Sequence, residues 1–365
     1  MFGGMDNLRI GLSYGDVLLV PQRSPVDSRS DVDLSTDLTP SIRLDTPLLS
    51  APMDTVTEAE LAIALSRVGG FGTIHRFLTI EEQAAEVRAV KDAGERVGAA
   101  VGINEDYLDR TEAVVDAGVD AVVVDVAHGH LEKCLDAVEH IRAEFPAVEL
   151  VVGNVATPAG VEDLYGVGAD CVKVGIGPGS HCTTRKVAGA GVPQLTAVDD
   201  CASAARDLDI TVIADGGIRT SGDAVKALMA GADTVMMGSL FAGAEESPGA
   251  VIERDGIRYK RSRGMATTAA AEERSDKENE VRADEGVEGF TPYKGPVAEV
   301  VSEFAAGIQS GVSYCGGRTI PEAREKAEFV RVAPSAQERE GAHYDHAWEN
   351  VGVDTVARAV AEKSD

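Results

Sequence analysis

Short β-branched runs recur eight times along this chain, at 47–50, 70–74, 97–101, 121–127, 150–155, 171–177, 211–217 and 234–239. Amphipathic, Ala-rich stretches with helical spacing lie between most of them, at 58–67, 80–92, 107–117, 132–144, 160–165, 197–208 and 222–230. Runs such as Ala121-Val-Val-Val-Asp-Val-Ala127 are apolar at almost every position, as in parallel strands covered on both faces. Several helical stretches end in Gly just before the next run, as at Gly118 and Gly231, where Gly suits a left-handed cap. Eight βα units in sequence predict an α/β fold of the (β/α)8 TIM-barrel type, usually about 250 residues long.

A doubly wound open sheet is the alternative, but it normally carries one Gly-rich fingerprint after its first strand. Here polar and Gly residues sit at the C-terminal ends of most runs: Asp54, His75, Asp125, Asn154, 175–182, 215–217 and 238–239. Barrel enzymes build their active sites at that end. No linker divides the chain, so a single domain over 1–365 is expected. Two segments depart from the repeat. One is a long connection, 175–197. The other is a polar stretch, 256–295, which holds the charge run 272–284 and no apolar stripe. The second reads as a flap after strand eight.

Charge removes several classes of partner. The chain has 61 acidic and 34 basic side chains, a formal net charge of −27. Nucleic acids and anionic membranes are held by basic surface, so neither is an expected partner. The excess reads as a solvated acidic shell suited to a salt-rich, halophilic cytoplasm, where ionic strength screens self-repulsion. Five cysteines, an odd number without a CxxC pair, predict neither a disulfide framework nor a zinc site. There is no apolar run of membrane-spanning length and no signal-peptide pattern at the N-terminus, so a cytoplasmic protein is expected.

The stretch Gly175-Ile-Gly-Pro-Gly-Ser-His-Cys-Thr-Thr-Arg185 carries the most chemistry. Its glycines let backbone N–H groups approach an anion, and Ser180 adds a hydroxyl. Asp215-Gly-Gly217 and Gly238-Ser239 end the next two runs, where barrels commonly hold phosphate. Together they point to a phosphorylated ligand. Cys182 follows the cradle among polar neighbours, as a nucleophile rather than a core residue; Cys134, Cys171 and Cys201 lie in strand or helix patterns and read as core. His181 reads as a solvated loop histidine, and Arg185 as a cation that offsets the acidic field at the mouth.

At these residues the sequence resembles the IMP dehydrogenase / GMP reductase family over nearly its whole length. The matching motifs are Tyr14-Gly-Asp-Val-Leu-Leu-Val-Pro21, Ser50-Ala-Pro-Met-Asp-Thr-Val-Thr-Glu58, Gly153-Asn-Val155, the Cys182 loop, Ile213-Ala-Asp-Gly-Gly-Ile218, Met236-Met-Gly-Ser239, Arg263-Gly-Met265 and Tyr293-Lys-Gly-Pro296. The resemblance implies a barrel, usually tetrameric, that binds a purine 5′-monophosphate (GMP or IMP) and a nicotinamide cofactor. It makes Cys182 the nucleophile at purine C2, with Thr184 and Glu285 handling protons there. Ser180, Gly217, Gly238 and Ser239 would hold the 5′-phosphate, Asp215 the ribose hydroxyls, and Met265 would also line the substrate site. Asp125 and Asn154, with Gly175 and Gly177, would lie towards the cofactor. Dehydrogenases of the family often use K+, here expected near Gly177, Gly179 and Cys182; no other metal is expected. Ser262 stands where an aromatic phosphate contact is common.

The chain runs through 90–96 without the CBS modules that many IMP dehydrogenases insert there, which leans towards GMP reductase. The flap, 264–286, lacks the Arg-Tyr pair with which a dehydrogenase activates water: Arg274 is followed by Ser275. Glu280-Val-Arg-Ala-Asp-Glu-Gly286 resembles the reductase pattern. Asp125-Val-Ala-His-Gly-His130 and Val187-Ala-Gly-Ala-Gly-Val-Pro-Gln194 look more like the dehydrogenase. The flap carries the step that separates the reactions, so the expectation is an NADPH-dependent GMP reductase, with an NAD+-dependent IMP dehydrogenase as the alternative. A non-catalytic nucleotide sensor would be expected to have a degraded Cys loop, and Cys182, Thr184 and Glu285 are all present.

Overall fold

The computed structural model describes residues 8–104, 106–265, 267, 270 and 286–339. Eight parallel strands close into a barrel: β1 (Leu48–Ser50), β2 (Phe71–Ile74), β3 (Val97–Val101), β4 (Ala121–Asp125), β5 (Glu149–Val155), β6 (Cys171–Val174), β7 (Thr211–Asp215) and β8 (Thr234–Met237). Neighbours follow chain order, and β8 closes onto β1 with Val235 against Leu48 and Met237 against Ser50. The helices on the outside are α1 (Ala59–Arg67), α2 (Ile80–Asp92), α3 (Tyr107–Asp116), α4 (Glu132–Glu144), α5 (Pro158–Gly166), α6 (Gln194–Leu208), α7 (Ser221–Met229) and α8 (Val297–Tyr314).

Strand periodicity sorts the core into two layers. Val122, Val124, Leu150, Val152, Val172, Val174 and Val212 pack outward against helical residues such as Val138, Ile141, Leu164 and Val198. Val123, Val151, Cys171, Ile213 and Met236 face inward. They meet Leu38, Ile42 and Leu44 from a hairpin, Thr36–Thr39 with Ile42–Leu44. The hairpin is pinned at the N-terminal ends of the strands. Thr211 Oγ1 donates to Leu38 O at 2.6 Å, and Thr36 Oγ1 to Asp233 O at 2.8 Å. That end is plugged, which leaves the C-terminal end for chemistry.

The sequence pattern undercounted structure in several places. The polar stretch expected as a loop from 256 contributes two strands. Val251–Arg254 (β9), Ile257–Arg263 (β10) and Glu288–Pro292 (β11) form an antiparallel sheet. Its buried positions are polar, so no apolar alternation marks it: Lys260, Ser262 and Arg263 are all buried, and Lys260 Nζ donates to Glu245 O at 2.8 Å. This sheet separates β8 from α8, which hides the eighth helix from a reading of the βα repeat. Helices α5 and α6 start two and three residues earlier than expected; Thr157 caps α5 by accepting from the Gly160 N–H. Gly118 and Gly231 do take the left-handed conformation after α3 and α7, with φ of 89° and 117°.

The chain divides into two compact units, Met1–Val330, which contains the barrel, and Arg331–Asp365, whose described part includes the short helix Pro334–Arg339. Among the described residues no helix is long and apolar enough to cross a membrane.

Candidate active site

The inward alternation on three strands ends in charge: Val123 is followed by Asp125, Cys171 by Lys173, and Ile213 by Asp215. Lys173 is 2 % exposed, and its Nζ donates to Asp125 Oδ1 at 2.8 Å and to Asp215 Oδ2 at 2.9 Å. It also bonds Asn154 Oδ1. Asn154 Nδ2 in turn donates to Asp215 Oδ2 at 2.9 Å and to Gly175 O at 2.8 Å. Burial alone would discharge this ammonium, but the two carboxylates outweigh it and hold its pKa above the ordinary lysine value. Burial likewise opposes the charge on Asp125, yet Lys173, with Arg76, keeps its carboxyl below the usual range. Gly153 makes the room, since a Cβ there would lie 2.6 Å from Lys173 Cβ.

Asp125, Asn154 and Asp215, expected from sequence to serve different ends of the ligand, are thus joined by one lysine that sequence reasoning did not single out. The available signal was a single charge inside the apolar strand Cys171-Val-Lys-Val174.

The three Gly clusters converge. Gly216 and Gly217 have φ of +88° and +76°, and a Cβ on Gly216 would approach Pro178 Cγ to 3.1 Å and Gly179 N to 3.2 Å. The turn after β7 therefore lies directly against the loop after β6. Ser180, from that loop, and Ser239, after β8, share a hydrogen bond between their hydroxyls. A Cβ on Gly238 would fall 2.7 Å from Met53 Sδ. Ser180, Gly217, Gly238 and Ser239 are the expected phosphate group, and Gly175 and Gly177, with φ of +154° and +76°, shape the loop that carries Ser180. Met265 reaches the same end of the barrel, where its Sδ accepts the Asp54 N–H at 3.3 Å.

Cys182 lies beyond the cradle. Its N–H donates to Gly179 O at 3.1 Å, and its Sγ is 3.1 Å from Thr184 Oγ1, at the start of the single helical turn Thr184–Val187. Cys182 also forms a β-bridge with Gly286, Val287 N donates to His181 O at 3.0 Å, and Gly264 N donates to Val287 O at 3.1 Å. The Cys loop is therefore strapped to both ends of the segment read as a flap. Glu285 and the charge run 272–284 lie outside the described residues. Of the five thiols, Cys182 is the partly exposed one; the other four are buried. Burial pushes the Cys134 and Cys315 thiols up to about 11 and Cys201 to about 12, and raises Cys171 further. Those four stay protonated and inert at neutral pH.

Arg185, expected as a cation that offsets the acidic field at the mouth, also ties the Cys loop together: its Nε donates to Ile176 O at 3.2 Å and its Nη2 to Val192 O at 2.6 Å. One expectation is corrected. His181 is not a solvated loop residue. Its Nε2 is 3.1 Å from Ser262 Oγ and its Nδ1 is 3.3 Å from Ser180 Oγ, and burial lowers its pKa. Two other strand-end residues serve the fold. His75 is buried and accepts the Phe77 N–H, and Asp54 pairs with Arg263, whose Nε donates to it at 2.9 Å.

Residues 11–343 match the model of the IMP dehydrogenase / GMP reductase domain. Inosine-5′-monophosphate dehydrogenase of Nitrosopumilus maritimus is 38% identical, covering 88% of this chain and 96% of its own length. GMP reductase of Leishmania donovani is 34% identical over 93% of this chain and 98% of its own length. Both alignments, over 457 and 483 positions, exceed the 365 residues here, so both relatives carry insertions that this chain lacks. A crystal structure of a GMP reductase variant from Trypanosoma brucei in complex with guanosine 5′-monophosphate superposes with a TM-score of 0.88, at 31% identity over 94% of this chain and 99% of that one.

Proposed function

Because this chain belongs to the IMP dehydrogenase / GMP reductase family, a family of purine-nucleotide oxidoreductases, we propose that it is a GMP reductase: GMP + NADPH + 2 H+ → IMP + NADP+ + NH4+. The observation that carries this reading is the sequence of the flap. It holds no Arg-Tyr pair with which to activate water, and it ends in Glu280-Val-Arg-Ala-Asp-Glu-Gly286. A reaction without a hydrolytic step needs no such pair. The missing insertion does not bear on the choice, since the Leishmania reductase has one as well.

In this reading Ser180, Ser239 and the N–H groups around Gly217 and Gly238 hold the 5′-phosphate, and Asp215 accepts from the ribose hydroxyls. That leaves purine C2 to Cys182. The thiolate adds to C2, and the 2-amino group departs as ammonia with a proton delivered through Thr184 and Glu285. The 3.1 Å contact between Thr184 Oγ1 and the sulfur puts the hydroxyl next to the carbon that the sulfur attacks. A dihydronicotinamide supplies hydride to that carbon, and Cys182 leaves. Asp125 suits the amide end of such a cosubstrate: Lys173 engages its Oδ1, and among the described residues its Oδ2 has no hydrogen-bond partner. None of these steps is routed through a cation; at the expected K+ position the Gly179 carbonyl accepts the Cys182 N–H and keeps a second lone pair.

The second reading is IMP dehydrogenase. Asp125-Val-Ala-His-Gly-His130 favours it, as does identity of 37–40% to dehydrogenases against 34% to the Leishmania reductases. We further propose a tetramer in a salt-rich cytoplasm, from the family and the −27 charge. Assays of the purified protein in molar KCl with each substrate pair test the function. GMP-dependent NADPH oxidation is expected. XMP formation from IMP and NAD+, with no NADPH oxidation by GMP, would replace the first reading with the second.

A further inference from the structure

We propose that His181 is a positioning residue for the phosphate grip: it points the Ser180 hydroxyl proton at the nucleotide's 5′-phosphate, through a hydrogen-bond relay anchored on the sheet beside the flap. The inference rests on the reading of the Gly-rich cradle as the seat of a 5′-phosphate.

The cradle has a proton-counting problem. Ser180 and Ser239 are bonded to each other through their hydroxyls, and each hydroxyl carries one proton. Whichever one donates to the other has nothing left for an anion. Both can face a phosphate as donors only if neither spends its proton on the other, and an outside donor to one oxygen orients that hydroxyl's proton outward. For Ser180 that outside donor is at hand, since His181 Nδ1 is 3.3 Å from its Oγ.

A neutral imidazole has one N–H, so the other nitrogen decides where it sits. Nε2 lies 3.1 Å from Ser262 Oγ, and Ser262 Oγ lies 2.8 Å from Thr291 Oγ1 on β11. Thr291 can donate to Ser262, and Ser262 to Nε2, which puts the imidazole proton on Nδ1 and aims it at Ser180. The relay then runs one way, from Thr291 through Ser262, His181 and Ser180 to the anion. Ser262 is 1 % exposed, so water does not compete for it.

The relay compensates for cations committed elsewhere. Arg185 is bonded to loop carbonyls and Arg263 to Asp54. In a chain of net charge −27, a phosphate held by neutral donors depends on their orientation. The anchor is also placed to matter, because β10 and β11 flank the flap and the His181 carbonyl accepts the Val287 N–H.

The test compares a purine 5′-monophosphate with its nucleoside, so that only the phosphate term is read. Dissociation constants of IMP and inosine are measured by calorimetry for wild type, His181→Val, His181→Asn and Ser262→Ala. A hydrogen bond to a charged group is typically worth about tenfold in affinity. His181→Val should therefore weaken IMP roughly tenfold while inosine moves less than about twofold. His181→Asn keeps a donor near the Nδ1 position and should recover most of the loss. Ser262→Ala should weaken IMP selectively by a smaller factor, and it decides the matter if His181→Val does not fold. An unchanged IMP-to-inosine ratio in His181→Val, or in Ser262→Ala where that variant decides, overturns the inference. Wild type that binds inosine but gains nothing from the phosphate overturns the underlying reading of the cradle instead.

Discussion

Replacing Lys173 by Met removes the cation bonded to both Asp125 and Asp215 and puts a side chain of similar length in its place. Lys173 is 2 % exposed, while the Asp125 and Asp215 side chains are 26 % and 21 % exposed. Deleting one partner of a buried pair costs about 3–5 kcal/mol, and the partial solvation of both aspartates places this one near the lower end, about 3 kcal/mol. For roughly 330 ordered residues the unfolding entropy is about 0.7 kcal/mol/K, so the loss corresponds to about 4 °C in Tm near neutral pH. The pH dependence carries the sign. In wild type the lowered carboxyl of Asp125 contributes stability above its unfolded value of about 3.9, lost only as pH falls through its still lower folded value. The raised Lys173 contributes below about 10.4, lost only as pH rises through its higher folded value. Without the lysine, burial, the largest influence on Asp125, is opposed by Arg76 alone and pushes the carboxyl upward, so protonation relieves the variant. Thermal melts of both proteins in molar KCl should show a deficit that is full at about pH 8 and shrinks to half or less towards about pH 4.5. A deficit that is absent at neutral pH, or that grows with acid, would refute this account of the cluster.

Iodoacetamide should label Cys182 first, with the four buried thiols reacting only on unfolding, as read by peptide mass spectrometry. Thr184→Val should lower kcat by about 10²–10³ while leaving the nucleotide dissociation constant within about twofold, since it removes proton transfer rather than binding. Gly216→Ala must fit a Cβ 3.1 Å from Pro178 at φ of +88°, so it should weaken a 5′-monophosphate by at least about tenfold and the nucleoside much less.

Much of the barrel was legible because its strands announce themselves: a parallel strand buried on both faces is an apolar run whatever it packs against. The antiparallel sheet was not, because Ile257-Arg-Tyr-Lys-Arg-Ser-Arg263 buries polar groups that find partners only across the fold. The hairpin below the barrel escaped for a related reason, since its Leu38, Ile42 and Leu44 pattern looks ordinary until the open end of a barrel needs filling. At the site, Cys182 and the Gly clusters stood out through local chemistry. Lys173 did not, because its meaning depends on Asp125 and Asp215, which are 48 and 42 residues away and meet it only when the strands close. His181 was misread because the serine and threonine that give it a role lie on strands absent from the pattern.

In the proposed reaction Cys182 attacks purine C2 and the amino group leaves as ammonia. The most direct measurement is a single turnover with enzyme in excess over GMP, in which ammonia, NADPH oxidation and the mass of the protein are followed together. One ammonia is expected per NADPH oxidised, with a transient nucleotide adduct on the Cys182 peptide that forms in wild type and is missing in Cys182→Ala. NADPH oxidation without ammonia, or turnover by Cys182→Ala at the wild-type rate, would contradict the proposed reaction.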